Sequence, residues 1–264
     1  MLNPSIRRAA ATAAMVLVAG VTFCDGARAA LVDLINNSSG SVNGALFFSA
    51  DFHPGGTGNL NPFVRLQHDN GPSNNNHSAN GREQGYNTSG RPVQYDENTD
   101  PNFTRDLLYG EIPTVTIEGT EYKEFILDIN EPLGAMNRQL SIDQINIYSS
   151  DTGSQTGLES TLGDLRFSLG ASLNDNTVLM DASLTSGSGE GDMRMYIPVS
   201  NFAGVADDDF VYLYSHFGNF GPDYRTGGGF EEWAVNVIPA PATLALLSVA
   251  VLATGRRRRA WPVS

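Results

Sequence analysis

Thr114-Val-Thr-Ile-Glu-Gly-Thr-Glu-Tyr-Lys-Glu-Phe-Ile-Leu-Asp-Ile-Asn130 is the stretch that decides the fold. Thr114 to Glu118 and Tyr122 to Asn130 are rich in β-branched and aromatic residues. Gly119-Thr120 interrupts them, so the segment predicts a β-hairpin. Tyr122, Phe125, Leu127 and Ile129 give the second arm a mostly alternating apolar face, the period of a strand lying on a core.

The same pattern extends in both directions. Ser141 to Tyr148 alternates but changes phase near Asp143, which predicts a β-bulge. Further strands are expected at Leu165 to Leu169, Thr177 to Leu184, Met193 to Val199, Asp209 to Ser215 and Phe230 to Val237. Short helical turns fit Leu158 to Leu162 and Ser200 to Phe202. Phe210-Val-Tyr-Leu-Tyr-Ser215 is apolar on both faces and reads as a central strand, with Tyr212 and Tyr214 as packing residues. Upstream, Val42 to Ala50 is one apolar run. Residues 51–105 are rich in Asn, Gly, Ser and Pro and read as one long polar loop. Strand spacings of roughly 10 to 20 residues predict an all-β domain over 31–237, a single antiparallel, jelly-roll-like β-sandwich.

Both ends have a different character. Arg7 and Arg8, an apolar run from Ala9 to Phe23 and the Ala27-Arg-Ala29 triplet have the layout of a signal peptide over 1–30, with a signal helix and cleavage after Ala29 or Ala30. At the other end, Pro239-Ala-Pro241-Ala-Thr243 precedes an uncharged segment from Ala242 to Thr254 and then Arg256, Arg257, Arg258 and Arg259. At about 1.5 Å per residue those apolar residues make a short transmembrane helix, with the arginines held on the cytoplasmic side.

This tripartite ending over 238–264 resembles the PEP-CTERM sorting signal of Gram-negative bacteria, with Ala240 where the family usually has Glu. The resemblance rests on Pro239, Pro241, Ala242, Thr243, the apolar run and Arg256 to Arg259. It implies an exosortase-like sorting enzyme as partner, transient contact with the inner membrane, and final residence at the cell surface or in extracellular polymer. Four stretches, Leu127 to Pro132, Ser186 to Met193, Val211 to Gly218 and Gly229 to Trp233, look like a body that recurs in secreted bacterial proteins with this tail. That second resemblance carries no catalytic residues.

Charge narrows the function further. The whole chain has a net charge of −13; removing both ends takes away seven of the 16 basic residues and one of the 29 acidic ones, leaving the body at −19. Such a surface repels phosphate backbones, so nucleic acid is not an expected partner. Cys24, the single cysteine, falls in the signal segment, so the body has no disulfide, thiolate nucleophile or Cys-type zinc site. No G-x-S-x-G, H-E-x-x-H or Walker pattern is present, and Gly187 to Gly191 lacks the lysine of a phosphate loop.

Several weaker constellations remain. Asp96, Asn98 and Asp100 place oxygen ligands at alternate positions, as calcium requires, though Pro101 and Leu107 break the EF-hand pattern. Asp207 to Asp209 is a second acidic run, and His68 with His77 a possible loop zinc pair. Trp233, Tyr224 and Tyr86 are candidates for stacking on a sugar of an exopolysaccharide. A glycosidase would need two carboxylates flanking a bond. Glu231 and Glu232 cannot be that pair, since neighbours on a strand point to opposite faces; Asp128 or Asp223 would have to join one of them.

Overall fold

The computed structural model describes residues 29–49, 60–67, 81–131, 138–173, 175–183, 191–227 and 229–236. Its strands are β1 (Ala30–Asp33), β2 (Ser39–Val42), β3 (Ala45–Ser49), β4 (Leu60–Leu66), β5 (Glu83–Tyr86), β6 (Leu107–Leu108) and β7 (Thr114–Ile117). They continue as β8 (Thr120–Ile129), β9 (Gln139–Ser150), β10 (Asp164–Ser168), β11 (Asn176–Asp181), β12 (Met193–Pro198), β13 (Phe210–Phe217) and β14 (Glu231–Asn236). They form two sheets. The first runs β1-β11-β9-β13-β5, with β10 on β9 and β6 on β13; the second runs β2-β3-β12-β8-β14-β4, with β7 on β8. The chain is all-β, with short 3-10 turns such as Glu159–Thr161 and Val199–Phe202. Among the described residues no helix is long and apolar enough to cross a membrane. The expected signal helix, Ala27, the short transmembrane helix, Pro239, Pro241 and Arg256 to Arg259 lie outside the described residues.

The β7–β8 hairpin forms as its sequence predicts, and its turn falls on Glu118-Gly119, with φ of 50° and 84°. Positive φ at both central residues is the type I′ geometry whose twist matches the flanking strands. Asn43-Gly44 repeats it, with φ of 51° and 82°. It splits the expected single strand Val42 to Ala50 into the antiparallel pair β2 and β3. The predicted bulge is present: β13 pairs His216 with Gln144 and then Phe217 with Ile142, leaving Asp143 as the extra residue.

Two expectations need correction. Residues 51–105 are not one loop, because β4 and β5 lie inside them. Leu60–Leu66 pairs along the whole of β14, and Glu83–Tyr86 pairs with β13. Cross-strand partners supply the order that local composition hides. Nor is the pairing wholly antiparallel, for β1 runs parallel to β11 at the sheet edge.

One apolar cluster is lined by both sheets. Ile142, Ile147, Leu213 and Phe217 come from the first, Phe47, Phe125, Leu127 and Trp233 from the second. The Trp233 indole N–H donates to Ser215 Oγ of the other sheet at 3.1 Å. A second, smaller cluster (Tyr86, Tyr95, Tyr148, Leu162, Tyr212, Tyr214) holds the tyrosines of β13, whose alternate residues Leu213 and Phe217 belong to the main core. The Tyr86 and Tyr212 hydroxyls donate to the carbonyls of Gly157 and Thr152 at 2.7 and 2.9 Å, and the Tyr148 hydroxyl donates to Glu159 Oε1 at 2.8 Å. Apolar ring bodies with bonded polar tips clasp the 151–162 segment onto the first sheet.

Candidate functional site

Strand registers bring several buried ionisable residues to one end of the two sheets. Phe217 pairs with both Glu83 and Ile142, while Glu231 pairs with Ile129 and Leu66. The start of β5, β9 and β14 and the end of β8 and β13 therefore lie together. Loop contacts close this end: Gly218 N–H donates to Ser141 O, Thr226 N–H to Gly81 O and Asn130 N–H to Phe230 O, each at 3.0 Å.

Glu231 and Glu232 take opposite faces of β14, as strand alternation requires. Glu232 lies on the outer face, where Arg65 Nε–H donates to its Oε2 at 2.7 Å. The Arg65 guanidinium is stacked between the rings of Phe103, at 3.5 Å, and Phe230, at 4.0 Å. Asp128 is the cross-strand partner of Glu232. Asp192 is next to Asp128; its Oδ2 accepts Ile129 N–H at 2.6 Å, and burial pushes its carboxyl up to about 8.

Glu231 turns inward beside Trp233 and is wholly buried, as is Glu83 of the first sheet; Glu131, just past β8, is 5% exposed. Glu231 is within hydrogen-bonding reach of both Glu83 and Glu131. Neither of its oxygens receives a hydrogen bond from a donor. Burial first, then Glu83, then Glu131 raise its carboxyl well above the ordinary range. Glu131 is pushed up to about 7, chiefly by burial. Its Oε2 accepts Gly227 N–H at 2.6 Å. Among the described residues no group of three or more His, Cys, Asp or Glu side chains is arranged to hold a metal ion.

The outer face of the first sheet at this end carries His216, with its imidazole pushed down to about 4 by burial and by Arg82. Asp143, on the bulge, accepts from Ser141 Oγ–H at 2.9 Å and Asn219 N–H at 2.6 Å. Near it, Phe220 is 44% exposed and meets the half-buried Tyr224 edge-on, with ring centroids 5.4 Å apart.

The residues singled out in the sequence are placed as follows. Trp233 and Tyr86 are fully buried and present no face to a sugar; Tyr224 alone of the three reaches the surface. Asp96, Asn98 and Asp100 each accept a different backbone N–H. Asp96 is buried and accepts Gln84 N–H, Asn98 Oδ1 accepts Asp100 N–H, and Asp100 Oδ1 accepts Asn102 N–H. Asp207 and Asp208 are exposed on a turn, and Asp209 accepts Ala206 N–H at 2.8 Å. Asp223 is exposed. Ala29 is exposed ahead of β1. His68 and His77 lie outside the described residues. Sequence reasoning missed the group formed by Glu83, Glu131 and Glu231. Its one local sign was a glutamate at an inward position of a strand, beside a tryptophan two residues on. Compared with family models, curated proteins and solved structures, the chain matches none.

Proposed function

We propose that this chain is an exported protein of a Gram-negative bacterium, sorted through a PEP-CTERM and exosortase-type system. Its role at the cell surface or in extracellular polymer is structural or interactive. The reading rests on the tripartite 239–259 sequence, which begins three residues beyond Asn236, the last residue of β14. The acidic body supports it: a surface at −19 stays soluble and resists self-association outside the cell. We take the two sheets to be the faces of one jelly-roll-like β-sandwich, in keeping with the apolar cluster they share. The experiment is intact-mass analysis of the exported product in a host with an exosortase. The expected product begins near residue 30 and lacks the arginine tail. A mature exported protein that keeps Arg256 to Arg259 would refute the reading.

A second reading, as a carbohydrate-binding module, is favoured by the exposed Phe220–Tyr224 pair, which lies beside the hydrogen-bonded Asp143 and Asn219. Here an exopolysaccharide is the ligand, and Phe220→Ala abolishes its retention in affinity electrophoresis. Unchanged migration of both proteins in every polysaccharide gel removes this reading. A glycoside hydrolase is the least supported, since Glu231 is sealed in the interior and Glu232 is ion-paired.

A further inference from the structure

Two segments stand against the outer face of the first sheet, and the strip between them is lined by uncharged hydrogen-bonding groups. The 151–162 segment is clasped over the tyrosines, and its Glu159 accepts Asn146 Nδ2–H at 2.7 Å as well as the Tyr148 hydroxyl. On the other side the 219–224 turn is tied to the start of β9. Phe220 N–H donates to Ser141 Oγ at 3.3 Å, and Asn219 N–H to Asp143 Oδ2 at 2.6 Å. Ser141 O accepts from Gly218 N–H, and Asn146 pairs with Tyr214. Four residues of β13 therefore separate the two segments, roughly 13 Å at about 3.3 Å per residue.

Within that strip His216 pairs with Gln84 of β5 on one side and with Gln144 of β9 on the other. Residues directly opposite share a face, so the three form one row across three strands, about 10 Å long at roughly 4.8 Å per strand. Gln84 Oε1 accepts the Tyr214 hydroxyl at 2.6 Å, which fixes its amide. Gln144 is half-buried, and its side-chain amide makes no hydrogen bond among the described residues. His216 is 6% exposed, with Nδ1 buried and without a partner. Its imidazole, pushed down to about 4 by burial and by Arg82, is uncharged at neutral pH. The row thus offers amide and imidazole groups with no net charge. Beside it the ring of Phe220 is 44% exposed and braced edge-on by Tyr224.

A glycan brings hydroxyls to such a row and a C–H face to such a ring, and a few placed polar groups beside an apolar surface are the usual make-up of a binding site. Charge selects among glycans. A polyanionic chain meets a body at −19 and is repelled, while an uncharged one is not. We infer, resting on the carbohydrate-binding reading, that the strip floored by Gln84, His216 and Gln144, with Phe220 and Tyr224 as its wall, is a cleft for an uncharged polysaccharide. The aromatic pair supplies stacking area, and the floor fixes the orientation of the sugar hydroxyls. Because strand register and the bonds to Ser141 and Asp143 set both parts in advance, little ordering is left to the binding step.

The test uses the full chain in a polyoxyethylene detergent, which carries no sugar. Wild type, Phe220→Ala and Gln144→Ala are titrated with dextran, galactomannan and laminarin as neutral probes and with alginate as the acidic one, at low and high salt. The wild type should bind at least one neutral polymer equally well at both salt levels, because screening acts on charges alone. Gln144→Ala should weaken that binding by about three- to tenfold, the scale of one hydrogen bond, and leave the thermal midpoint unchanged. In the wild type the Gln144 side-chain amide resonances should shift along the same saturation curve, a readout that decides alone if the variant fails to fold. Neutral binding that Phe220→Ala removes and Gln144→Ala leaves intact, with no Gln144 shift, overturns the cleft while the carbohydrate-binding reading stands. Binding to alginate alone, lost at high salt, does the same. No binding to any of the four polymers removes both.

Discussion

Trp233 and Ser215 give the most direct test of how the two sheets are joined. The indole is fully buried and its N–H reaches across to Ser215 Oγ at 3.1 Å. A tryptophan buries about 150–250 Å², which at about 25 cal/mol per Å² amounts to roughly 4–6 kcal/mol. Tryptophan-to-alanine changes in cores cost about 3–5 kcal/mol, so Trp233→Ala should lose about 4 kcal/mol. Against a total of about 5–15 kcal/mol for a folded domain, that brings the chain near unfolding. Ser215→Ala leaves the indole N–H without its acceptor in a dry interior and should cost about 1–3 kcal/mol. Trp233→Phe keeps most of the apolar area but strands the hydroxyl. The double variant strands neither group, so it should cost about 1 kcal/mol less than the sum of the singles. Urea unfolding followed by circular dichroism measures all four variants against the wild type. Strict additivity of Trp233→Phe and Ser215→Ala would refute the inter-sheet bond, and a Trp233→Ala loss below about 1 kcal/mol would refute the packing argument. In a Trp261→Phe background the fluorescence of Trp233 should resist acrylamide and stay unchanged on adding polysaccharide.

Other substitutions probe separate parts of the fold. Glu118→Asn should stabilise the β7–β8 turn by a few tenths of a kcal/mol, because Asn accepts the positive φ that Glu118 holds at 50°; a lower thermal midpoint would contradict it. Gly229→Ala would drive a Cβ into the carbonyl oxygen of Asn130, backbone that cannot move aside, and should lower the urea midpoint strongly, whereas a wild-type midpoint would refute the close approach. Arg65→Met strands Glu232, whose carboxyl is raised by burial and held down by Arg65. Its folded value should then rise further, so the variant's stability deficit should grow as pH climbs above about 4.5; a deficit equal at pH 4 and pH 8 would count against the pairing.

Much of the strand inventory was legible because a half-buried strand writes a two-residue period into its own composition. Phe125, Leu127 and Ile129 do so in β8, and the break in phase at Asp143 marks the bulge in β9. The polar segment that holds β4 and β5 was not legible. Leu60–Leu66 includes Asn61, Pro62 and Arg65, and Glu83–Tyr86 includes Gly85, so neither advertises a strand. Both form because partners far along the chain, β14 and β13, offer them open edges. The Asn43-Gly44 turn was written plainly in the sequence but lay inside an apolar run that concealed it. Trp233 and Tyr86 had the residue types of a sugar platform, yet face direction depends on register, and register puts both inside.

By itself the sequence determined the all-β character, the acidity of the body and the basic and apolar composition of its two ends, since each is a property of neighbouring residues. Tertiary structure alone decided which carboxylates meet. Glu83, Glu131 and Glu231 are separated by 48 and 100 residues and share no local pattern. Only the pairing of β5 with β13 and of β14 with β8 carries their side chains to the same end of the interior.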